Sequence, residues 1–337
     1  MPTAGPLVDT FGRAATDLRV SLTDRCNLRC TYCMPAQGLE WLAAEEVLRP
    51  DELARLLRVA VNRLGVASVR FTGGEPLLVR HLERVIAATA ALRPRPQIAL
   101  TTNGVGLARR AAGLVDAGLD RVNVSLDSLD HARFAAVARR DRLEDVLAGL
   151  AAAKAAGLQP IKVNAVLAPG IGADSVAGLL RFCLRGGYQL RFIEQMPLGA
   201  GQRWRRDAGL AADELLTALR REFRLRSDSA PRGSAPAELW SVGAGPDWPA
   251  GKVGVIASVT HPFCSRCDRG RLTADGQLRS CLFSSAETDL RGLLRGGAGD
   301  DDIETAWRTA MWQKAAGHGI NDPGFVPPER PMSAIGG

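Results

Sequence analysis

The stretch Pro50-Asp51-Glu52-Leu53-Ala54-Arg55-Leu56-Leu57-Arg58-Val59-Ala60-Val61-Asn62-Arg63-Leu64-Gly65 is soon followed by Ser68-Val69-Arg70-Phe71-Thr72-Gly73-Gly74. Pro50 and Asp51 are a helix start signal, leucine and valine recur at helical spacing, and Gly65 is a stop. The short β-branched run after it is a strand that ends in a glycine turn. Outward from here the same alternation repeats. Strand-like runs lie at residues 18–23, 68–72, 98–102, 121–126, 161–167 and 190–196, with helical periodicity near 82–92, 107–117, 143–156 and 175–184. Six strands alternating with helices predict an α/β fold with a parallel sheet. Six units are too few for a closed eight-stranded barrel, so an incomplete (βα)6 parallel barrel fits; an open doubly wound sheet is the alternative. In both, function gathers at the C-terminal ends of the strands.

The pattern changes after residue 196. A loop is expected at 199–206, a helix at 213–223, a polar linker at 227–236 and a strand at 253–259. Helical segments follow near 290–294 and 303–315, then an irregular tail at 321–337. The chain divides into a core at 10–228 and a C-terminal α+β segment at 229–337, expected to cap the barrel mouth.

Of the 337 residues, 46% are apolar and 23% charged, the balance of an ordinary globular protein. No apolar run approaches the roughly 20 residues that span a bilayer. Residues 1–13 lack the positive-then-apolar pattern of an export signal, so no membrane association and a cytoplasmic location are expected. The net charge of +7, carried almost wholly by arginine, suggests an anionic partner. No compact basic run is interleaved with aromatics, so nucleic acid is not the expected one. Six of the seven cysteines fall in two clusters, which argues for metal or redox chemistry rather than a disulfide framework. Cys183, inside a helical pattern, reads as a buried structural thiol.

The first cluster is Cys26-Asn27-Leu28-Arg29-Cys30-Thr31-Tyr32-Cys33, just after a predicted strand. Three thiolates in one tight loop can hold three corners of a four-iron cluster, leaving one iron open. A structural zinc site, the alternative, wants a fourth ligand, and neither His81 nor His131 is convincingly placed. This C-x3-C-x2-C spacing resembles the signature of the radical S-adenosylmethionine superfamily. Gly73-Gly74-Glu75-Pro76 is similar to that superfamily's second motif.

The second cluster is Cys264, Cys267 and Cys281, with Arg269 and Arg271 close by. Here too a zinc site using His261 is the alternative. Together with the terminal Gly336-Gly337, the set resembles the GTP 3',8-cyclase family of molybdenum-cofactor biosynthesis, over about residues 18–337. The resemblance implies two 4Fe-4S clusters, one on Cys26, Cys30 and Cys33 and one on Cys264, Cys267 and Cys281. It implies S-adenosyl-L-methionine contacts at Tyr32, Gly74, Glu75, Ser125 and Met196, with Glu75 accepting from the methionine ammonium. It implies GTP contacts at Arg19, Arg70, Thr101, Lys162, Arg191, Arg269 and Arg271, with Arg19 and Arg271 also among the catalytic residues. The tail, Gly336 and Gly337, would reach into the site.

The implied reaction is radical conversion of GTP to 3',8-cyclo-7,8-dihydro-GTP. An electron donor would feed it, and a cyclic pyranopterin synthase would take the product. The family is often dimeric, so a homodimer is compatible. Two positions depart from the family: Asp268 where asparagine is usual, and Gly270 where a large apolar residue is usual. They change the side chains expected beside the second cluster. Two other readings are a radical peptide-modifying enzyme with an auxiliary cluster and a zinc-stabilised nucleic-acid-binding protein. More C-terminal cysteines would favour the first, and salt-sensitive binding the second.

Overall fold

The computed structural model describes residues 1–169, 171–198, 204–205 and 209–336. Six strands take their expected places: β1 (Asp17–Ser21), β2 (Ser68–Thr72), β3 (Gln97–Thr102), β4 (Arg121–Ser125), β5 (Ile161–Leu167) and β6 (Gln189–Glu194). They lie in chain order, each parallel to the next. A doubly wound sheet reverses its strand order at a switch point. An unbroken order from one to six is the winding of a barrel, and it decides between the two architectures.

The outer face is covered by α1 (Pro50–Asn62), α2 (Leu82–Ala90), α3 (Leu107–Asp116), α4 (His131–Ala138), α5 (Leu143–Ala155) and α6 (Ala173–Gly186). Of these, α4 was not foreseen; Asp130 caps it by accepting from the Arg133 amide at 2.8 Å. Leu56, Ile86, Leu107, Leu114, Leu150 and Leu180 are fully buried in the core. Each such side chain contributes about 1.5–3 kcal/mol by leaving water. Cys183 is buried among them, as expected. The strands alternate accordingly. In β5 Ile161, Val163, Ala165 and Leu167 are buried while Lys162, Asn164 and Val166 are half-buried. In β1 Leu18 and Val20 are buried in the core and Arg19 lies on the other face.

The C-terminal third holds α7 (Ala212–Arg220), β7 (Leu225–Ser227), β8 (Glu238–Val242), β9 (Gly251–Ile256), β10 (Arg269–Leu272), β11 (Gln277–Arg279) and β12 (Thr288–Asp289). It closes with α8 (Leu290–Arg295), α9 (Asp300–Trp312) and α10 (Met332–Ile335). This region does more than cap the mouth. β10 pairs in parallel with β1, and β9 in parallel with β6. The result is one 12-stranded sheet in the order β12-β11-β10-β1-β2-β3-β4-β5-β6-β9-β8-β7, without barrel closure. Strands β10 to β12 were not foreseen, and the helical turn α10 corrects the expectation of an irregular tail at 321–337. Arg269-Gly270-Arg271-Leu272 has no β-branched residue, and its pairing with β1 on one side and β11 on the other makes it a strand. The loop expected at 199–206 and Gly337 lie mostly or wholly outside the described residues. No helix among those described is long and apolar enough to cross a membrane.

Candidate active site

Beyond β1 the chain turns into the loop of Cys26, Cys30 and Cys33, and the turn after β2 is laid directly on it. The Gly74 amide donates to the Thr23 carbonyl (2.7 Å) and the Glu75 amide to that of Arg25 (2.8 Å). Gly73 has φ +136°, and a Cβ there would strike the Thr23 carbonyl oxygen; one on Gly74 would strike those of Asp24 and Arg25. Two glycines are therefore a steric requirement of this approach. The Glu75 carboxylate is fully buried. It accepts from the Leu77 amide (2.9 Å), Thr102 Oγ1 (2.6 Å) and the Asn103 amide (2.7 Å). Burial pushes its pKa up to about 7 against these donors. These bonds tie the turns after β2 and β3 together.

Asn103 was missed by sequence reasoning. Its Nδ2 lies 3.7 Å from Cys26 Sγ and donates to Asn27 Oδ1 at 2.7 Å. Asp127 was missed too: it accepts from the Tyr32 hydroxyl (2.8 Å) and the Val166 amide (2.8 Å), tying the cysteine loop to β5. Only their place at strand C-terminal ends could have marked them.

A cavity of ≈ 300 Å³ opens at the C-terminal ends of the strands. All six clustered cysteines line it, with Tyr32, Gly74, Ser125, Met196, Arg19, Arg70, Thr101, Arg191, Arg269 and Arg271. Lys162 does not reach its wall. It lies one inward-facing step closer to the strand N-termini than Asn164, on which Arg191 Nε is anchored at 3.0 Å. Strand register sets Arg271, Arg19 and Arg70 side by side on β10, β1 and β2. Arg70, Arg191 and Arg271 are buried, and Arg19 Nε, Arg70 Nε and Nη1, and Arg269 Nε have no partner among the described residues. Burial, then Arg19, lowers Arg70 to about 9; burial, with Arg19 and Arg121, does the same for Arg191. Arg271 is driven well below its usual range by burial, Arg19 and Arg269. Lys162 falls to about 7 through burial and the charges of Arg191, Arg121 and Arg70. Buried guanidinium atoms without acceptors are costly unless an anion completes them. A triphosphate fits this set in charge and in hydrogen-bond chemistry.

The second cysteine set lines the same cavity as the first. Cys264 opens a single 3-10 turn (Cys264–Arg266), Cys267 ends it, and Cys281 follows β11. The two departures from the family face away. Asp268 accepts from Thr16 Oγ1 at 3.3 Å and does not line the cavity. A Cβ on Gly270 would touch Leu18 and Met311 at 3.7 Å, ordinary packing distance, so that position belongs to the core. The tail enters from the side. Met332 is anchored on the Leu198 carbonyl (3.0 Å), and the Gly336 carbonyl accepts from Arg271. Gly336 has φ +83°, and a Cβ on it would strike Ser21 Oγ.

The thiols suit a metal cluster. Burial pushes Cys26 upward, Cys30 well above its usual range and Cys33 to about 12. Such buried thiols are stable as thiolates when metal holds them. Among the described residues no three His, Cys, Asp or Glu side chains gather closely enough for a single ion.

Barrel-wound parallel strands, a three-thiol loop after β1 and a Gly-Gly turn pressed against it define a radical S-adenosylmethionine enzyme. The family model of the Radical SAM superfamily matches residues 20–183, and that of Molybdenum Cofactor Synthesis C matches residues 188–320. The chain is 74% identical to "GTP 3',8-cyclase 2" of Mycobacterium tuberculosis over 100% of this chain and 94% of that protein. It is 74% identical to "GTP 3',8-cyclase" of Mycobacterium marinum (100% and 93%), and 72% to that of Mycolicibacterium smegmatis (100% and 93%). It belongs to the GTP 3',8-cyclase family. Among solved structures, Streptococcus suis SuiB bound to S-adenosylmethionine shares the fold with a TM-score of 0.59 at 15% identity, covering 82% of this chain and 64% of that one.

Proposed function

We propose a division of labour among the cavity residues for the family's reaction, the conversion of GTP to 3',8-cyclo-7,8-dihydro-GTP that begins molybdenum-cofactor biosynthesis. Cys26, Cys30 and Cys33 hold the first 4Fe-4S cluster, and Cys264, Cys267 and Cys281 the second. Bound there, the clusters and S-adenosyl-L-methionine supply the electron-transfer and radical chemistry. Tyr32, Gly74, Ser125 and Met196 line the S-adenosyl-L-methionine side, with Glu75 and Asn103 fixing the turns around it. Arg19, Arg70, Arg191, Arg269 and Arg271 clamp the triphosphate, with Thr101 beside them, and Lys162 adds charge from below. Clamping fixes the ribose against the first thiol set and the base against the second, converting binding energy into orientation. Arg271 also grips Gly336, so the tail closes the site against water.

The observation that carries this reading is the set of cavity-lining guanidinium groups, of which Arg19, Arg70 and Arg269 carry buried nitrogens with no acceptor among the described residues, in the cavity that both thiol sets line. Core and C-terminal segments, 10–228 and 229–337, are functional halves that each bring one thiol set to a shared sheet. The same reading includes a one-electron donor, transfer of product to a cyclic pyranopterin synthase, a cytoplasmic setting and a homodimer. Iron and sulfide counting on protein reconstituted without oxygen tests the core of it. Two four-iron clusters give about eight irons per chain, falling to about four in Cys26→Ala or Cys281→Ala. A parent with only about four irons would sink the role given to the second thiol set.

A further inference from the structure

Behind the second cysteine set stands a cation that the GTP clamp does not use. Lys314 follows the end of α9 and is only 4% exposed, the only lysine so buried among the described residues. Its ammonium donates to the carbonyl oxygens of Cys267 (3.1 Å) and Arg269 (2.8 Å) and lies 3.5 Å from Cys267 Sγ. Arg13 reaches the same region from the N-terminal loop, donating to the carbonyls of Cys264 (2.7 Å), Ala315 (2.6 Å) and Ala316 (2.9 Å). The two cations differ in one respect. Arg13 is neutralised by Asp9 at 2.5 Å, whereas no carboxylate pairs with Lys314 among the described residues. A buried ammonium lacking a counter-charge is costly, and carbonyl dipoles offset only part of that. The remaining acceptor is the Cys267 sulfur, and a compact ammonium suits a single sulfur better than a planar guanidinium would.

We propose that Lys314 is a positioning residue for the second cluster, its charge placed to hold the Cys267 thiolate and to set that cluster's reduction potential. Reduction adds one negative charge to the cluster, and a fixed cation beside a ligand sulfur favours the reduced form. The inference rests on the assignment of Cys264, Cys267 and Cys281 to that cluster.

The test uses the full chain with Cys26→Ala, Cys30→Ala and Cys33→Ala, so that only the second cluster contributes to the spectrum. Lys314→Met, Lys314→Gln and Lys314→Arg are compared by redox titration followed by electron paramagnetic resonance. The Met and Gln variants are expected to be harder to reduce by a factor of about ten in the equilibrium, ~59 mV for one electron, and Arg to restore most of it. Loss of iron from Met and Gln but not from Arg also supports the proposal, since charge then holds the thiolate. Midpoints and spectra in Met and Gln that coincide with the parent overturn it. So does a Gln variant that behaves as the parent, because donation to the carbonyls would then suffice. Iron loss from all three variants at an unchanged melting temperature overturns it as well, charge making no difference. A triple-alanine parent that takes up no iron overturns the cluster assignment itself, and this inference with it.

Discussion

At the scale of single residues the cation row costs stability and supplies binding. Arg70 is buried with unpartnered Nε and Nη1 beside Arg19. Arg70→Met should raise the melting temperature of the ligand-free protein while weakening GTP binding, since an interaction with a charged partner is worth about 1.5–3 kcal/mol, or ~10–150-fold in affinity. Calorimetry and thermal melts on one preparation check both signs. Lys162 gives a pH signature. Its pKa drops from 10.5 to about 7 on folding. Between those values the unfolded chain binds the extra proton, so this group makes stability of the free protein rise with pH across the window. A polyanion favours the ammonium, so GTP binding near neutral pH should take up protons and weaken as pH rises above 7. Calorimetry in buffers of different ionisation heat reads the uptake, and Lys162→Met should abolish it. Lys162 was legible by itself, as a lysine on a predicted strand, whereas Arg19 and Arg70 were readable only through the family resemblance. Lys314, Asn103 and Asp127 were not legible, because each acts on a group brought to it by distant chain.

At the scale of elements, the glycine turns and the tail are shaped by close approach. Gly336→Ala must leave φ +83° or collide with Ser21 Oγ. A left-handed alanine costs roughly 1–2 kcal/mol before any collision, so the inserted tail should lose at least ~5–30-fold in population. Turnover should fall by that factor or more while iron content and melting temperature stay unchanged. Glu75→Gln tests the turn after β2. An amide NH2 cannot accept from the Asn103 backbone, so a buried donor is left unsatisfied at a cost of about 1–3 kcal/mol. Denaturant unfolding should show that loss, and a variant of undiminished stability would refute the bracing role. The six repeating units could be read from periodicity because each helix and strand carries its own apolar face. Strand β10 could not, since its pairing with β1 links residues 17–20 to 269–272. Gly336 was readable only through resemblance; the contact that requires a glycine there is with Ser21 on β1.

At the scale of the whole molecule, a sheet that takes strands from both ends of the chain makes the two thiol sets interdependent. β1 leads into the first set, and its neighbour β10 lies between Cys267 and Cys281 of the second. Any change that separates β10 from β1 moves one thiol set against the other, and shifts the paired Arg19 and Arg271 as well. Orientation losses of about 1 Å can cost ~10²-fold in rate. Leu18→Ala, beneath this pair, should therefore depress turnover more than its stability loss alone accounts for. A melt and a rate measured at one temperature decide it.

The same pairing has a consequence during synthesis. When the ribosome has finished β6, six parallel strands can form, but β1 and β6 each still present an open row of amides and carbonyls. Their partners, β10 and β9, emerge only about 60–80 residues later, several seconds at ordinary translation rates. Through that interval the nascent chain is sticky along both sides. Prematurely terminated products should thus aggregate, and chaperone binding should peak before residue 272 leaves the exit tunnel.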